Sequence, residues 1–359
     1  MPSRRSAPAL LAVSMGDPAG VGPEVILKAA AAMASRRGSP AIVVAGDLGA
    51  MREAAGRLRG VPVPRPWRPS DAPVRAADGL AVLEVGRLRV GALKPGRPTV
   101  EGADAAYRYI VEGARMAMAG EADALVTAPI NKEWLNRADH RFPGHSELLA
   151  ELSRTRLWRM MFAGEQLCLA LVTVHIGLAQ VSRALSSQGV FDTIRLLAQH
   201  LSGRLGVSRP RVGVLGFNPH AGEHGLFGDE EARVIVPAIR RARRVGIDAS
   251  GPLAPDTAFI RPQGKFSFDA AVAMYHDQGL IALKTLEFDR AVNVTLGLPF
   301  VRTSPDHGTA YDIAGCGAAS GASMLAAMEY GWRALDGGAR AGLRDRRGDA
   351  AQTKRFRRA

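Results

Sequence analysis

Six stretches of the chain are almost unbroken apolar runs that close on polar or glycine-rich residues: "LLAVSM", "AIVVAGD", "ADALVTAP", "LALVTVH", "RVGVLGFNPHAG" and "AAVAMYHDQG". Between the first two lies "PEVILKAAAAM", whose composition and spacing are helical. Strands buried on both faces lack the polar alternation of a half-solvated sheet. Their alternation with helices therefore predicts an α/β fold built on a largely parallel sheet. In such sheets ligands bind beyond the carboxyl ends of the strands, which makes the loops after these runs the places to look for chemistry. The stretch from Arg65 to Thr99 is rich in Pro, Gly and Arg and predicts an irregular excursion with short edge strands. No internal repeat is present.

Composition narrows the class. At 359 residues with 47% apolar content, the chain suits two domains or one large one with a real core. No apolar run approaches the roughly eighteen residues of a membrane span. Arg4 and Arg5 precede "APALLAVSM", but that run is short and feeds directly into "GDPAG", so it is expected to be a first strand rather than a signal peptide. Cys168 and Cys316 have no motif spacing, which argues against a disulfide framework or a thiolate metal site and points to a cytoplasmic protein. The net charge is +13, yet eight basic residues against Asp345 and Asp349 place +6 of it between Arg340 and Ala359. That segment has Phe356 as its sole aromatic and follows no nucleic-acid module, so residues 341–359 are expected to be a solvated basic tail. A nucleic-acid binder exploiting the tail is the competing reading from another class. The remaining modest positive charge suits an anionic substrate.

Three histidines stand at three strand ends: His175 in "LVTVHIG", His220 in "FNPHAG" and His276 in "AMYHDQG". One such residue is more often structural. Three suit a divalent metal held by neutral imidazoles with coordination positions left open for a substrate, although their spacing matches no local metal motif. Other loops add groups. "FPGHSE" places His145 and Ser146 at the start of a helix, where free N–H groups favour an anion, with a plain N-cap role for Ser146 as the alternative. Lys284, Asn293 and Arg302 put donors into apolar surroundings, and the Arg fork matches a carboxylate or phosphate. Asp256 and Asp277 lie in neighbouring loops as candidate proton acceptors beside Lys284, with orientation of His276 as the alternative role for Asp277.

Taken together, "MGDPAGVGPEV", "TAPINKE", "PGHSE", "NPHAGE", "GPLAPDTAF", "MYHDQG" and "VNVTLGLPFVRTSPDHGTAYDIAG" resemble, in order and spacing, the 4-hydroxythreonine-4-phosphate dehydrogenase family of pyridoxal phosphate biosynthesis. The resemblance runs from about Leu10 to Trp332. It implies a three-layer α/β/α subunit similar to isocitrate and isopropylmalate dehydrogenases. The first domain would span residues 1–133, completed by 296–340, and the second residues 134–295, with the metal site in the cleft between them. It also implies His175, His220 and His276 as ligands of one divalent ion (zinc, magnesium or cobalt), and His145, Ser146, Lys284, Asn293 and Arg302 as substrate-binding residues. His224, four residues after His220, is not among the implied ligands.

The loop "DHGTAYDIAG" resembles the one that holds the adenosine end of the nicotinamide cofactor in those larger dehydrogenases. Asp306, His307, Gly308, Thr309, Ala310 and Asp312 are therefore implied as contacts to NAD or NADP. This matters because the chain has no strand-linked G-x-G-x-x-G fingerprint; "GDPAGVG" has a different spacing. The implied reaction is metal-assisted oxidation of a phosphorylated hydroxy amino acid, followed by loss of carbon dioxide, in a homodimer whose two chains share each active site. Relatives acting on 4-phospho-D-threonate, 4-phospho-D-erythronate or aromatic dihydrodiols remain the alternative within the enzyme class. Two departures from the family pattern, Ser146 where Thr is usual and Gly177 where Pro is common, bear on substrate preference rather than reaction type.

Overall fold

The computed structural model describes residues 8–72, 74–75, 78–86, 88, 94–335 and 337; the expected basic tail at 341–359 lies outside them. Twelve strands form one sheet: β1 (Leu10–Ser14), β2 (Ala41–Gly46), β3 (Pro64–Pro66), β4 (Leu80–Glu84), β5 (Ala124–Thr127), β6 (Arg159–Ala163), β7 (Cys168–Leu171), β8 (Arg211–Leu215), β9 (Asp248–Leu253), β10 (Ala270–Ala273), β11 (Val292–Leu296) and β12 (Val301–Pro305). Their spatial order is β3-β4-β2-β1-β5-β12-β11-β6-β7-β10-β8-β9. Pairing is parallel at both ends of the sheet. At its centre β11 is antiparallel to both β12 and β6, and β6 is antiparallel to β7.

The strands β1, β5 and β12 consequently run opposite to β7, β10 and β8. Helices cover both faces: α1 (Gly22–Ala34), α2 (Leu48–Gly56), α3 (Val100–Met118), α4 (Lys132–Arg137), α5 (His145–Leu152), α6 (Leu178–Ala184), α7 (Ser187–Gly203), α8 (Val236–Arg244), α9 (Pro255–Ala258), α10 (His276–Glu287) and α11 (Ala322–Arg333). Local signals set several starts. Asp47, Thr99 and Ser186 each accept a backbone N–H as the N-cap of α2, α3 and α7, and Pro23 opens α1 where a missing N–H costs nothing.

Alternation along the strands divides the core. Leu11 and Val13 of β1 join Met161, Val292 and Val301 in one continuous apolar cluster that crosses the sheet beneath α1, α7 and α11. On the other face the core is broken in two. Leu10, Ala12 and Leu125 pack with α3 and α5, whereas Met160, Phe162, Leu169 and Leu171 pack with α10. Between those two clusters the strands turn polar side chains outward, and that interruption holds the site.

The reversal of strand direction at the centre depends on the β6–β7 turn. Gly164 donates its N–H to the Leu167 carbonyl at 2.8 Å. The buried carboxylate of Glu287, at the end of α10, accepts the backbone N–H groups of Glu165, Gln166 and Leu167. Replacing Glu287 by Ala leaves three backbone donors of the turn without their acceptor, the Leu167 N–H among them buried, and should lower stability by about 2–3 kcal/mol. Urea unfolding measures this directly; a loss within error of zero would show that water or another carboxylate serves the turn equally well.

Candidate active site

One face of β5, β12, β11 and β6 forms the floor of a cleft of about 350 Å³. Thr127, Arg302, Ser304, Asn293, Met160 and Phe162 line it, and the period of two along a strand explains why 302 and 304, or 160 and 162, appear together. The register orders the groups along the cleft. Thr295 pairs with Met160 at one end, while Val292 pairs with Pro305 at the other.

At the Thr295 end sits Arg302, only 2% exposed. Its Nη1 donates to Thr295 Oγ1 at 3.0 Å and its Nη2 to Thr127 Oγ1 at 2.6 Å, while its Nε has no partner. Among the described residues no carboxylate forms an ion pair with it. Burial pushes its pKa down to about 9, against a smaller upward effect of the Glu147 carboxylate, so the guanidinium is still charged at neutral pH. A buried charge held by neutral hydroxyls is incomplete, and an incoming anion completes it.

His145 and Ser146 open α5 above this end. The N-cap is Gly144, so the expected alternative of Ser146 as a cap does not hold. Its Oγ shares a 2.9 Å hydrogen bond with Thr295 Oγ1 and thereby joins the Arg302 network. His145 hydrogen-bonds the Ala128 backbone, and its Nε2 is out of solvent without a partner. Burial first, then the positive charges of Arg302 and Lys132, hold its pKa well below the usual histidine range. The ring is neutral, and if Nδ1–H serves the Ala128 carbonyl, Nε2 offers a lone pair to whatever enters.

The histidine pair arises from strand adjacency. β7 and β10 are parallel neighbours, and their following loops are tied by Val172 N–H to the Ala273 carbonyl and Thr173 Oγ1 to the Met274 carbonyl, at 2.9 and 2.7 Å. His175 and His276 then face each other with ring centroids 5.9 Å apart. That lies near the roughly 5–6 Å expected for two imidazoles about one ion at metal–nitrogen distances of about 2.1 Å. Asp277 Oδ1 lies 2.6 Å from His276 Nδ1, which leaves Nε2 of that ring as the nitrogen free to bind a metal. Burial, then the Lys132 charge, lowers the His175 pKa and favours the neutral form that a metal needs.

His220 does not join this pair within one chain. It lies in a 3-10 turn, Pro219–Gly225, whose residues 220–224 all have positive φ, and its side chain is 62% exposed beside Phe227. The turn is fixed from beneath by the buried Glu231, which accepts the N–H groups of Phe217 and Asn218. Among the described residues, no three His, Cys, Asp or Glu side chains of one chain are placed to hold a metal. Asp256, exposed on α9, packs beside the His220 turn rather than in the cleft.

At the opposite end lie Asn293, Asp306, His307 and Gly308. Asn293 Oδ1 and His307 Nε2 are buried without partners. Lys284 reaches this end through a 3.1 Å ion pair with Asp306 and does not itself line the cleft. Beyond Gly308 the chain leaves the cleft: Thr309 is buried against the loop before α1, Ala310 has φ 42°, and Asp312 is exposed. Thr127 and Lys132 fall in "TAPINKE", which the sequence marks as a polar strand end without distinguishing either residue, and Thr295 in an apolar strand carries no signal of its own.

Residues 38–331 match the model of the pyridoxal phosphate biosynthetic protein PdxA. The chain belongs to the PdxA family. A PdxA-family relative from Geobacter metallireducens, a 4-hydroxythreonine-4-phosphate dehydrogenase, is 50% identical over 327 residues, covering 89% of this chain and 93% of the relative. The D-threonate 4-phosphate dehydrogenase of Salmonella typhimurium is 42% identical over 322 residues, covering 89% and 97%. The crystal structure of the 4-hydroxythreonine-4-phosphate dehydrogenase from Klebsiella pneumoniae superposes with a TM-score of 0.80 at 39% identity, covering 91% of this chain and 99% of that one.

The His145 environment makes a pH prediction. A histidine whose folded pKa lies below its unfolded value of about 6.5 lets the unfolded chain bind the proton first. Stability is therefore undiminished above about pH 6.5 and falls as the pH drops toward the folded value, by at most ~1.4 kcal/mol per pH unit for this one group. His145→Gln should flatten that decline. Denaturant titrations between pH 5 and 7 that give parallel curves for the two proteins would show that His145 is protonated equally in both states.

Proposed function

We propose that this chain is an NAD- or NADP-dependent, divalent-metal-dependent dehydrogenase that oxidises 4-phosphohydroxy-L-threonine and releases carbon dioxide to give 3-amino-2-oxopropyl phosphate. The observation that carries the reading is Arg302: a buried guanidinium with hydroxyl partners only, beside a neutral His145, in the cleft of a PdxA-family protein. Arg302, Ser146, His145 and Asn293 bind the anionic ends of the substrate. A bound nicotinamide dinucleotide would supply the acceptor for the hydride of the secondary alcohol carbon, and the hydroxyl proton goes to a protein base. The C–C bond to the carboxylate then breaks, its electron pair passing toward the new carbonyl, with a proton delivered to the remaining carbon.

His175 and His276, completed by His220 of a second copy, fit a divalent ion, which when bound acidifies the alcohol and polarises the carbonyl. The proton acceptor is one of Lys284, which reaches the rim through Asp306; Asp256, beside the His220 turn; and Asp277, which also orients His276. The dimer accounts for the separation of His220 from its partners. It also accounts for large apolar side chains left exposed close to the three histidines: Ile176, Leu178, Leu226, Phe227 and Ile281. The cleft then lies between a lobe of residues 1–133 with 296–340 and a lobe of 134–295. Dinucleotide contacts come from Asp306, His307, Gly308, Thr309, Ala310 and Asp312. A second reading, oxidation of 4-phospho-D-threonate, is favoured by the 42% identical D-threonate 4-phosphate dehydrogenases.

Formation of reduced dinucleotide with 4-phosphohydroxy-L-threonine, 4-phospho-D-threonate and 4-phospho-D-erythronate decides between these readings. The amino-acid phosphate should turn over fastest, with carbon dioxide appearing in step, and chelation or His220→Ala should abolish turnover. Full activity after exhaustive chelation would remove the metal from the reaction. A second measurement addresses the anion subsite. Arg302→Lys keeps the charge and loses the fork, so kcat/KM for the phosphorylated substrate should fall by an amount equivalent to about 1–3 kcal/mol; unchanged kinetics would make Arg302 purely structural.

A further inference from the structure

The motif "MGDPAGVGPEV" takes no part in the cleft as described, yet it is one of the most tightly packed segments of the chain. A Cβ on Gly16 would stand 2.5 Å from the Pro129 carbonyl oxygen, one on Gly22 2.4 Å from that of Met15, and one on Gly20 2.9 Å from that of Thr309. These glycines admit close backbone contact with protein. The "GDPAGVG" turn is filled by its neighbours and is no phosphate cradle.

Its charged side chains all point one way. Asp17 is 1% exposed; its Oδ1 accepts the Ala19 N–H at 2.9 Å and its Oδ2 accepts the Tyr311 hydroxyl at 2.5 Å. Val21 N–H meets the Thr309 carbonyl at 2.9 Å. Glu24, 3% exposed, accepts the Gly315 N–H through Oε1 at 2.5 Å. Lys28 Nζ donates to the carbonyls of Gly317 and Ala319 at 2.7 and 2.6 Å. From Asp17 to Lys28, residues in the turn and on one side of α1 therefore grip residues 309–319 at successive points. Those residues form no helix or strand, and the positive φ of Ala310 needs outside support.

We propose that Asp17 and Glu24 are positioning residues for dinucleotide binding: the 17–28 segment is a rigid bed that holds the 306–315 loop in its ligand-ready form. The inference rests on the reading above that this loop contacts the nicotinamide dinucleotide. The Asp17 to Tyr311 bond is the sharpest element, because it joins two side chains 294 positions apart, one of them wholly buried. Burial raises the pKa of Asp17, and the Tyr311 and Ala19 hydrogen bonds oppose that rise. Without the hydroxyl, the buried carboxylate has a weaker hold on its charge and the loop loses an anchor.

The test uses the full-length, metal-loaded protein and three variants: Tyr311→Phe, Gly20→Ala, and Tyr311→Phe combined with Asp17→Asn. Binding of NADH and NADPH is followed by fluorescence, alongside steady-state KM values for both substrates. Tyr311→Phe should raise the Kd and KM of the dinucleotide about tenfold or more, leave the KM of the phosphorylated substrate within about twofold, and leave kcat at saturating dinucleotide within about threefold. Adding Asp17→Asn should make matters no worse, because the pair acts as one unit. Gly20→Ala, which pushes Thr309 outward, should reproduce the same split; if it fails to fold, Tyr311→Phe, one oxygen smaller than the native residue, carries the test.

A fall in melting temperature with dinucleotide affinity unchanged would make the contacts merely structural and overturn the inference. Equal weakening of both ligands would also overturn it. If the unmodified protein binds neither dinucleotide, the functional reading fails first and the positioning role falls with it.

Discussion

Placing a guanidinium beneath the surface of the sheet is the constraint around which the rest is arranged. Arg302 is the second residue of β12, which lies between β5 and β11, and it spans both neighbours through Thr127 and Thr295. An isolated buried charge is expensive, and hydroxyl dipoles offset only part of that cost. The sheet tolerates it because the apolar core on this face is interrupted exactly where Arg302 emerges, with Ser146 and His145 closing over it from α5. His145 is held neutral by its burial first and then by the same charge, since a second cation beside Arg302 in low dielectric is unfavourable. An unpaired cation, a bare imidazole nitrogen and an unpartnered Asn293 oxygen together describe a site waiting for an anion with donors of its own.

The direction of the strands explains how the other groups arrive. In a wholly parallel sheet the loops after β5, β7, β10 and β12 would all gather at one edge. Here the antiparallel insertion of β11 and β6 sends the loops after β7 and β10 to the opposite end of the cleft from the loop after β12. His175 and His276 therefore stand near the Thr295 and Arg302 end, and Asp306 to Gly308 near the Asn293 end. On the proposed function, substrate and dinucleotide would approach from these different sides and meet along the strands, as a transfer between two bound molecules requires.

Much of this was legible in the chain. The six apolar runs are β1, β2, β5, β7, β8 and β10, and the polar segments that follow them supply His175, His276 and the 127–132 loop. The strands that reverse the sheet were not legible. "RMMFA" is a short apolar run opening on an arginine and "VNVTL" alternates with polar residues, and nothing local distinguishes an antiparallel partner from a parallel one. The carboxyl-end rule therefore located the right loops without showing that they come from two directions. Lys284 and Arg302 both read as donors in apolar surroundings, yet one is paired with Asp306 at the rim and the other is the buried floor. Period-two alternation places Arg302 only once the strand register is known, and it says nothing of Lys284, which lies on the helix α10.

His220 shows what a single chain leaves undetermined and why. The five consecutive positive-φ residues from His220 to His224 cannot be read from "PHAGEH", because four of them are not glycine and such residues rarely adopt that conformation. They hold their shape through Glu231 and Asn218 beneath the turn, so the exposed imidazole is displayed by a rigid support and is not simply loose. The turn presents the histidine outward between the exposed Leu226 and Phe227, which is what the proposed contact with a second copy requires. The cleft has the complementary deficit: two imidazoles face one another and no third ligand stands within reach among the described residues. The proposed pairing of two copies accounts for both an excess on one surface and a shortfall on another of the same chain, since a twofold axis brings each to the other.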